Sequence, residues 1–192
     1  TTSREYPLLN PQPGWHVQEP EVIARGVLDA IREAVDRVDA GRIIGISISS
    51  AMHGLIGLDA DLRPVTELLT WADSRARHQA DELNEHSTGP RLHHTSGTPT
   101  HPMSPLVKLR WFAETDPALL CGTPHWVSLK DWILVTLTGQ LFTELSSASS
   151  SGLLDMESRA WNPEAFELTG LRPDQLPPIL DTTDKLPLSA AA

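Results

Sequence analysis

The chain has 192 residues, with 15 basic and 25 acidic side chains and a formal net charge of −10. The acidic excess argues against a general surface for nucleic acid or anionic membranes, because both partners are polyanions, and no apolar run approaches the roughly 20 residues of a membrane span. The single cysteine, Cys121, excludes a disulfide framework and a cysteine-rich zinc site, and it indicates a reducing compartment such as the cytoplasm.

The first half of the chain predicts short apolar strands between helices. Three prolines favour an extended start, and apolar residues at three- and four-residue steps then favour a long amphipathic helix. An aspartate can cap the second helix. In chain order, we expect a helix from Pro20 to about Gly41, a strand buried on both faces at Arg42–Ser49, strands at Leu55–Leu58 and Val65–Thr70 around a turn at Asp59–Asp61, and a helix at Ser74–Asn84 capped by Asp73.

The second half continues this alternation after a long segment rich in glycine, proline and histidine, which we expect to be a loop. Proline or serine begins the later helices and glycine ends two of them. The expected elements are a loop at 87–103, a helix from Pro105 capped by Ser104, a strand at Trp126–Leu129, a helix at Asp131–Thr138, a strand at Leu141–Leu145 and a helix at Pro163–Thr169. Helices alternating with short apolar strands predict an α/β fold.

Candidate ligand-binding residues follow the predicted strands. Met52-His53-Gly54 comes after a buried strand, at the edge where open α/β sheets bind ligands. His53 could bond a hydroxyl-rich ligand or merely cap the turn. Trp71, Asp73 and Arg75 join a strand to a helix, where Asp73 and Arg75 either bond a ligand beside the Trp71 ring or serve as cap and solvated surface.

The stretch from His101 to Trp111 delivers a helix N-terminus, whose free N–H groups attract anions or hydroxyl oxygens. An ordinary amphipathic helix is the alternative interpretation. Adjacent His93-His94 and His101 match no standard metal-ligand spacing, so we predict no metal site. Gly-rich phosphate loops and the Gly-x-Ser-x-Gly elbow do not occur in the sequence.

Taken together and in order, these segments resemble the N-terminal part of the FGGY carbohydrate kinases, the family of xylulokinase, glycerol kinase and gluconokinase. Residues 13–182 carry the resemblance. The family's first signature resembles Met103-x-Pro105-x-x-Lys108-Leu109-x-Trp111-Phe112-x-Glu114, and Thr115 departs from it at the last position. The other matching pieces are Gly14-Trp15 through Glu19-Pro20, Ile44-Gly45-Ile46-Ser47 into Met52-His53-Gly54, Trp71-x-Asp73-x-Arg75, Lys130-Asp131-Trp132, and Thr143 through Ser149.

Within the family, Thr98 through Leu106 and the small-residue run Ser146–Ser151 are most similar to the gluconokinase branch. The resemblance implies a ribonuclease H-like, actin-like ATPase fold and ATP-dependent phosphorylation of a sugar or sugar acid, with D-gluconate giving 6-phosphogluconate as the first expectation. Xylulokinase or another polyol kinase activity, and a non-catalytic sugar-binding module, are the alternatives. ATP and Mg²⁺ are the implied cofactors, and a homodimer is left open.

The resemblance also implies roles for individual residues. Substrate contacts are expected from Met52, His53, Asp73, Arg75, His101 and Met103, with further candidates in Trp71, Lys130 and Asp131. Residues 1–192 are expected to be a partial, sugar-binding domain. The family's opening strand with its phosphate turn is expected before Thr1, and the ATP-binding domain with the general-base Asp after Ala192. No catalytic residue is therefore named, and the chain alone is expected to be inactive.

Overall fold

The computed structural model describes residues 1–189, which contain eight α-helices and eight short strands. The helices are α1 (Pro20–Val35), α2 (Arg77–Glu85), α3 (Thr88–Ser96), α4 (Pro105–Thr115), α5 (Pro117–Gly122), α6 (Leu129–Thr138), α7 (Leu145–Ser149) and α8 (Pro163–Thr169). The strands are β1 (Val17–Gln18), β2 (Ile56–Leu58), β3 (Leu68–Leu69), β4 (His125–Val127), β5 (Thr143–Glu144), β6 (Leu154–Asp155), β7 (Ala160–Trp161) and β8 (Ile179–Leu180).

The strands pair two by two. β1 with β3, β2 with β4 and β6 with β7 are antiparallel, whereas β5 and β8 are parallel. A single bridge between Leu55 and Leu69 joins the first two pairs, which thereby form one narrow layer. Helices and strands therefore mix as the sequence predicted for an α/β fold.

This narrow strand layer is buried on both faces. Successive strand residues point to opposite sides, so Leu69 and Trp126 enter one apolar cluster with residues of α3, α4, α5 and α8. Leu68 and Val127 enter a second cluster, together with the apolar faces of α1 and α6. The indole N–H of Trp132 donates to the carbonyl of Pro20 (3.2 Å), which fixes α6 to the start of α1.

Several predicted helix ends are confirmed, including the start of α4 at Pro105 and the ends of α6 and α8. The predicted cap by the Ser104 side chain is wrong, because its hydroxyl bonds the carbonyl of His101 instead. α6 begins at Leu129, two residues before the predicted start, with a capping box in which Ser128 and Asp131 each bond the other's backbone N–H. Gly139 and Gly170 end α6 and α8 with φ of 71° and 73°, a left-handed conformation that glycine adopts without strain. α1 ends at Val35 rather than near Gly41, and a single 3₁₀ turn occupies Ala40–Arg42.

The predicted strand at Arg42–Ser49 is wrong for the described residues. Within residues 1–189 no strand pairs with this segment, and Ile44 is fully exposed. Only Ile48 packs against the second apolar cluster. The β-branched composition favours an extended backbone, but a strand also needs a neighbour for its backbone hydrogen bonds.

The predicted loop at 87–103 is also wrong, because most of it is helix α3. Pro90 lies in the first turn, where its missing N–H breaks no helical bond, and Gly97 ends the helix with a φ of 72°. The following helix boundary differs as well, since α2 begins at Arg77 and Asp73 does not cap it. Among residues 1–189 no helix combines the length and apolar character needed to cross a membrane.

Candidate functional site

Lys108 lies at the centre of the candidate site. It occupies the first turns of α4 and has no exposed surface. Its Nζ donates to the carbonyl oxygens of His53 (2.7 Å), Thr70 (2.7 Å) and Leu69 (3.3 Å). One ammonium group therefore joins the turn at 52–54 to the chain that leaves β3.

His53 has the backbone conformation of a constrained residue. Its φ of 65° lies in the left-handed region, which a non-glycine residue adopts at a cost. The ring Nδ1 lies 2.9 Å from the carbonyl oxygen of Ser150. A carbonyl can only accept, so Nδ1 carries the proton and the neutral ring presents Nε2 as an acceptor.

Burial lowers the pKa of His53, and the bond to Ser150 opposes this effect. The nearby charges of Lys108 and then His101 lower the pKa further. His53 is therefore neutral over a wider range around pH 7 than an ordinary histidine. The 52–54 turn and the loop that carries His101 both contact residues 149–151, since Ser150 bonds His53, while Ser149 and Ser151 bond Thr98 and Leu106.

His101 is exposed, and its ring Nδ1 accepts from the backbone N–H of Met103 at 3.2 Å. A neutral ring that accepts at Nδ1 carries its proton at Nε2 and presents a donor there. Met103 is half-buried, directly before the N-cap of α4. The backbone N–H of Leu106 donates to the carbonyl of Ser151 (3.0 Å), which ties this end of α4 to the segment that holds His53.

Met52 and Trp71 line one cavity of about 580 Å³ and are 50% and 60% exposed. Most of the cavity wall is apolar, and its residues come from the N-terminal segment, α1, α6, the segments 47–54 and 68–72, and Gln18. Its polar residues include Ser47, Ser49, Ser50 and Thr70. The Trp71 ring thus provides an accessible apolar surface beside the carbonyl that Lys108 holds.

Asp73 and Arg75 form a buried pair, with side chains 0% and 4% exposed. Both carboxylate oxygens of Asp73 accept from the Arg75 guanidinium at 2.9 Å, and one also accepts from the backbone N–H of His16 at 2.8 Å. The guanidinium stacks 3.6 Å from the centre of the Trp15 ring. Their polar groups are thus engaged within the protein, and the pair anchors residues 14–16 beside the site.

Lys130 and Asp131 support the local structure of α6. Lys130 pairs with Glu144 at 2.8 Å, while Asp131 accepts from the backbone N–H of Ser128 at 2.8 Å. The other Asp131 oxygen is buried without a hydrogen-bond partner among the described residues. Burial raises the pKa of Asp131 to about 6, although hydrogen bonds from Ser128 oppose the shift.

Met52 and Trp71 thus line the cavity, His53 contacts Lys108 through its carbonyl but is not among the cavity residues, and His101 and Met103 lie on the loop before α4. The side chains of Asp73, Arg75, Lys130 and Asp131 are engaged in contacts within the protein. The site predictions did not include Lys108 or Ser150. Lys108 had a sequence signal, since Pro105, Trp111 and Phe112, three or four residues away, make its side of the helix apolar. Ser150 acts through its carbonyl, for which the side chain gives no signal.

The described residues offer no match to a metal site. Within residues 1–189, no group of three or more His, Cys, Asp or Glu side chains is arranged to hold a metal ion. The residues around Lys108 do not supply the carboxylate oxygens that Mg²⁺ prefers, because Asp73 is engaged with Arg75.

Comparisons with known proteins identify the family of the chain. A profile of the FGGY family of carbohydrate kinases, N-terminal domain, matches residues 1–188. The chain is 31% identical over 179 residues to a gluconokinase of Bacillus subtilis, covering 93% of this chain and 35% of the relative. It is 30% identical over 185 residues to a xylulose kinase of the same organism, covering 95% of this chain and 37% of the relative.

Solved structures give the same result. The fold matches a gluconate kinase from Lactobacillus acidophilus with a TM-score of 0.93 at 30% identity, over 98% of this chain and 38% of that one. A ligand-bound xylulose kinase from the same species matches with the same TM-score and identity. The chain therefore spans little more than a third of the length of these relatives.

Proposed function

Because this chain belongs to the FGGY family of carbohydrate kinases, we propose that it supplies the sugar-binding face of an ATP-dependent kinase. D-gluconate, converted to 6-phosphogluconate, is the proposed substrate. The gluconokinase of Bacillus subtilis at 31% identity supports this choice. A cytoplasmic location is part of the proposal, because the lone, exposed cysteine suits a reducing compartment.

One observation carries the proposal: two histidines of opposite hydrogen-bonding character lie on segments that both bond residues 149–151. His53 presents an acceptor at Nε2, because Nδ1 donates to Ser150. His101 presents a donor at Nε2, because Nδ1 accepts from Met103. A hydroxyl group both donates and accepts, so this pair complements a polyol. The exposed Trp71 ring adds an apolar wall for the C–H face of the sugar chain.

The carboxylate of gluconate needs a local donor, since the chain as a whole is acidic. Four basic side chains of the predicted site come into question, those of His53, Arg75, His101 and Lys130, of which Arg75 and Lys130 are paired with carboxylates. His101 is exposed and can donate to a carboxylate from Nε2, because its Nδ1 accepts from Met103. The net charge of −10 matters little at this range, because fields are screened beyond about 8 Å at physiological salt.

Binding of ATP and Mg²⁺ and the abstraction of the hydroxyl proton are assigned to no residue of this chain. Phosphoryl transfer depends on in-line positioning of the hydroxyl and on charge stabilisation. The role proposed for the described residues is the first of these, namely to hold one hydroxyl-bearing end of the substrate in a fixed place.

A xylulose kinase is the second candidate, supported by the Bacillus subtilis relative at 30% identity and by the xylulose kinase structure. A neutral ketose does not require a cation, so the acceptor of His53 and the Trp71 wall suffice for it. The two candidates therefore differ in how much they depend on His101.

Turnover of a sugar panel by the full-length protein that carries this chain tests the proposal. With ATP and Mg²⁺, we expect the highest kcat/KM for gluconate. Replacing His101 by alanine should raise the KM for gluconate roughly tenfold, the value of one hydrogen bond to a charged group. His94→Ala is the matched control, because His94 is an exposed histidine on α3. Equal or faster turnover of xylulose contradicts gluconate as substrate, and sugar binding without turnover of any sugar indicates a non-catalytic module.

A further inference from the structure

Lys108 is buried, but it bonds two segments of the proposed sugar site. The residue touches no solvent, yet its three donors reach three carbonyl oxygens that belong to two separate segments. Two of these carbonyls, those of His53 and Thr70, adjoin Met52 and Trp71 in sequence. A change in the position of the ammonium group would therefore alter the position of both segments.

A buried ammonium is costly to desolvate, so its retention needs full hydrogen bonding and a counter-charge. The carbonyls satisfy the first condition. The carboxylate of Asp73 supplies the second, although it also accepts from Arg75. An apolar side chain at this position would fill the space of the lysine but remove the donor that the structure gives the His53 carbonyl, whereas the carbonyls of Leu69 and Thr70 would keep the backbone N–H groups of Leu55 and Asp73.

The His53 turn is the segment that most needs such a tether. A left-handed conformation at a non-glycine residue persists only when its surroundings enforce it. The ring is held by Ser150 (2.9 Å) and the carbonyl by Lys108 (2.7 Å), so the residue is fixed from both ends. The Nε2 acceptor takes its direction from these two bonds.

We propose that Lys108 is the positioning residue of the sugar site: its ammonium group holds the His53 turn and the Thr70-Trp71 segment at one separation, and so sets the Nε2 acceptor against the tryptophan wall. The inference rests on the proposed sugar-binding function. Lys108 itself touches no substrate, since it is fully buried behind the two segments.

The tether depends on the charge of Lys108. Burial lowers the pKa of Lys108 to about 7, Asp73 opposes this shift, and Arg75 adds to it. The other titratable group close to it is His53, on the tethered turn. A neutral amine has two donors for three carbonyls, so the tether weakens as pH rises through about 7.

The test compares Lys108→Met with Lys185→Met in the full-length protein, because Lys185 is an exposed lysine of the C-terminal segment. We expect Lys108→Met to raise the KM for the sugar roughly ten- to a hundredfold and to leave the KM for ATP within about twofold. A folded Lys108→Met protein with unchanged sugar KM contradicts the proposal.

The pH profile of the unmodified protein is the second measurement, and it needs no variant. Between pH 6.5 and 8.5 the KM for the sugar should rise roughly three- to tenfold while the KM for ATP stays level. Lys108→Met, where it folds, should lose this rise. A level sugar KM in the unmodified protein overturns the proposal. Absence of any sugar turnover instead overturns the proposed function.

Discussion

Asp131 and Glu144 are neighbouring carboxyl groups whose acidities diverge. Burial raises the pKa of Asp131 to about 6, and the charge of Glu144 adds to the shift. Burial acts on Glu144 in the same direction, but hydrogen bonds from Lys130, Ser146 and Ser147 outweigh it and hold its pKa well below the usual range. The difference arises because the donors converge on Glu144, whereas one oxygen of Asp131 has no partner among the described residues.

This difference predicts a pH-dependent stability. The folded pKa of Asp131 exceeds its unfolded value of 3.8, so the folded state binds more protons between about pH 4 and 6. The contribution of Asp131 to the free energy of unfolding therefore falls as pH rises through this range, by at most about 1.4 kcal/mol per pH unit. The substitution Asp131→Asn should remove this decrease in the free energy of unfolding.

Urea denaturation at pH 4, 5 and 6 measures this change in the free energy of unfolding. The stability difference between the unmodified protein and Asp131→Asn should shrink steadily from pH 4 to pH 6. Asp61→Asn, at an exposed turn position, should show no such trend. A difference that stays constant with pH would mean that the folded and unfolded proteins bind the Asp131 proton equally.

At the level of single residues, the sequence indicated candidate side chains but not the contacts that they make. His53 and Trp71 are accessible beside the Lys108 tether, as a ligand-binding role requires. Asp73 was expected to cap a helix or to bond a ligand, but its oxygens accept from Arg75 and from the backbone N–H of His16. His16 lies 57 residues away in sequence. Such long-range pairing has no local pattern, so a single sequence does not reveal it.

Helix α3 illustrates why elements are misjudged from composition. Its glycine, proline and histidine content is typical of a loop, yet its buried Leu92 packs with α4 and α8 residues in the first apolar cluster. Packing of one leucine face can stabilise a helix of low intrinsic propensity. The converse holds for Arg42–Ser49, where strand propensity is high but the described residues provide no pairing partner.

Gly97 offers a test of how α3 ends. Its φ of 72° is unfavourable for other residues, while an added Cβ would meet only Met156 at 3.9 Å, an ordinary contact. Gly97→Ala should therefore cost about 1 kcal/mol through backbone strain alone. Gly122→Ala is the matched control, since Gly122 lies at the end of α5 with open space around its Cβ position.

Denaturant midpoints of the two variants give the comparison. Gly97→Ala should unfold at a lower concentration than the unmodified protein, and Gly122→Ala at an equal or slightly higher one, because alanine is the better helix former. Equal midpoints for both variants would show that Gly97 is not held in the left-handed conformation in solution.

On the scale of the whole molecule, the site depends on segments far apart in sequence. The turn at 52–54, the chain at 69–71 and the loop at 101–103 meet because α4 places Lys108 between two of them and Ser150–Ser151 bind the turn to the start of α4. The order of motifs along the chain predicted the family and the α/β fold. The place where the segments meet depends on tertiary packing. The role of Lys108 could not be predicted from the sequence, because the three carbonyls that it bonds come together only in the folded protein.

Hydrogen–deuterium exchange of the full-length protein, with and without saturating gluconate, tests most directly whether these three segments form one sugar-binding surface. Slower exchange is predicted in peptides that span residues 49–54, 69–73 and 98–104, with no change in peptides from α8. Exchange that is unaltered by bound gluconate in all three segments, or slowed only around α8, would contradict the account.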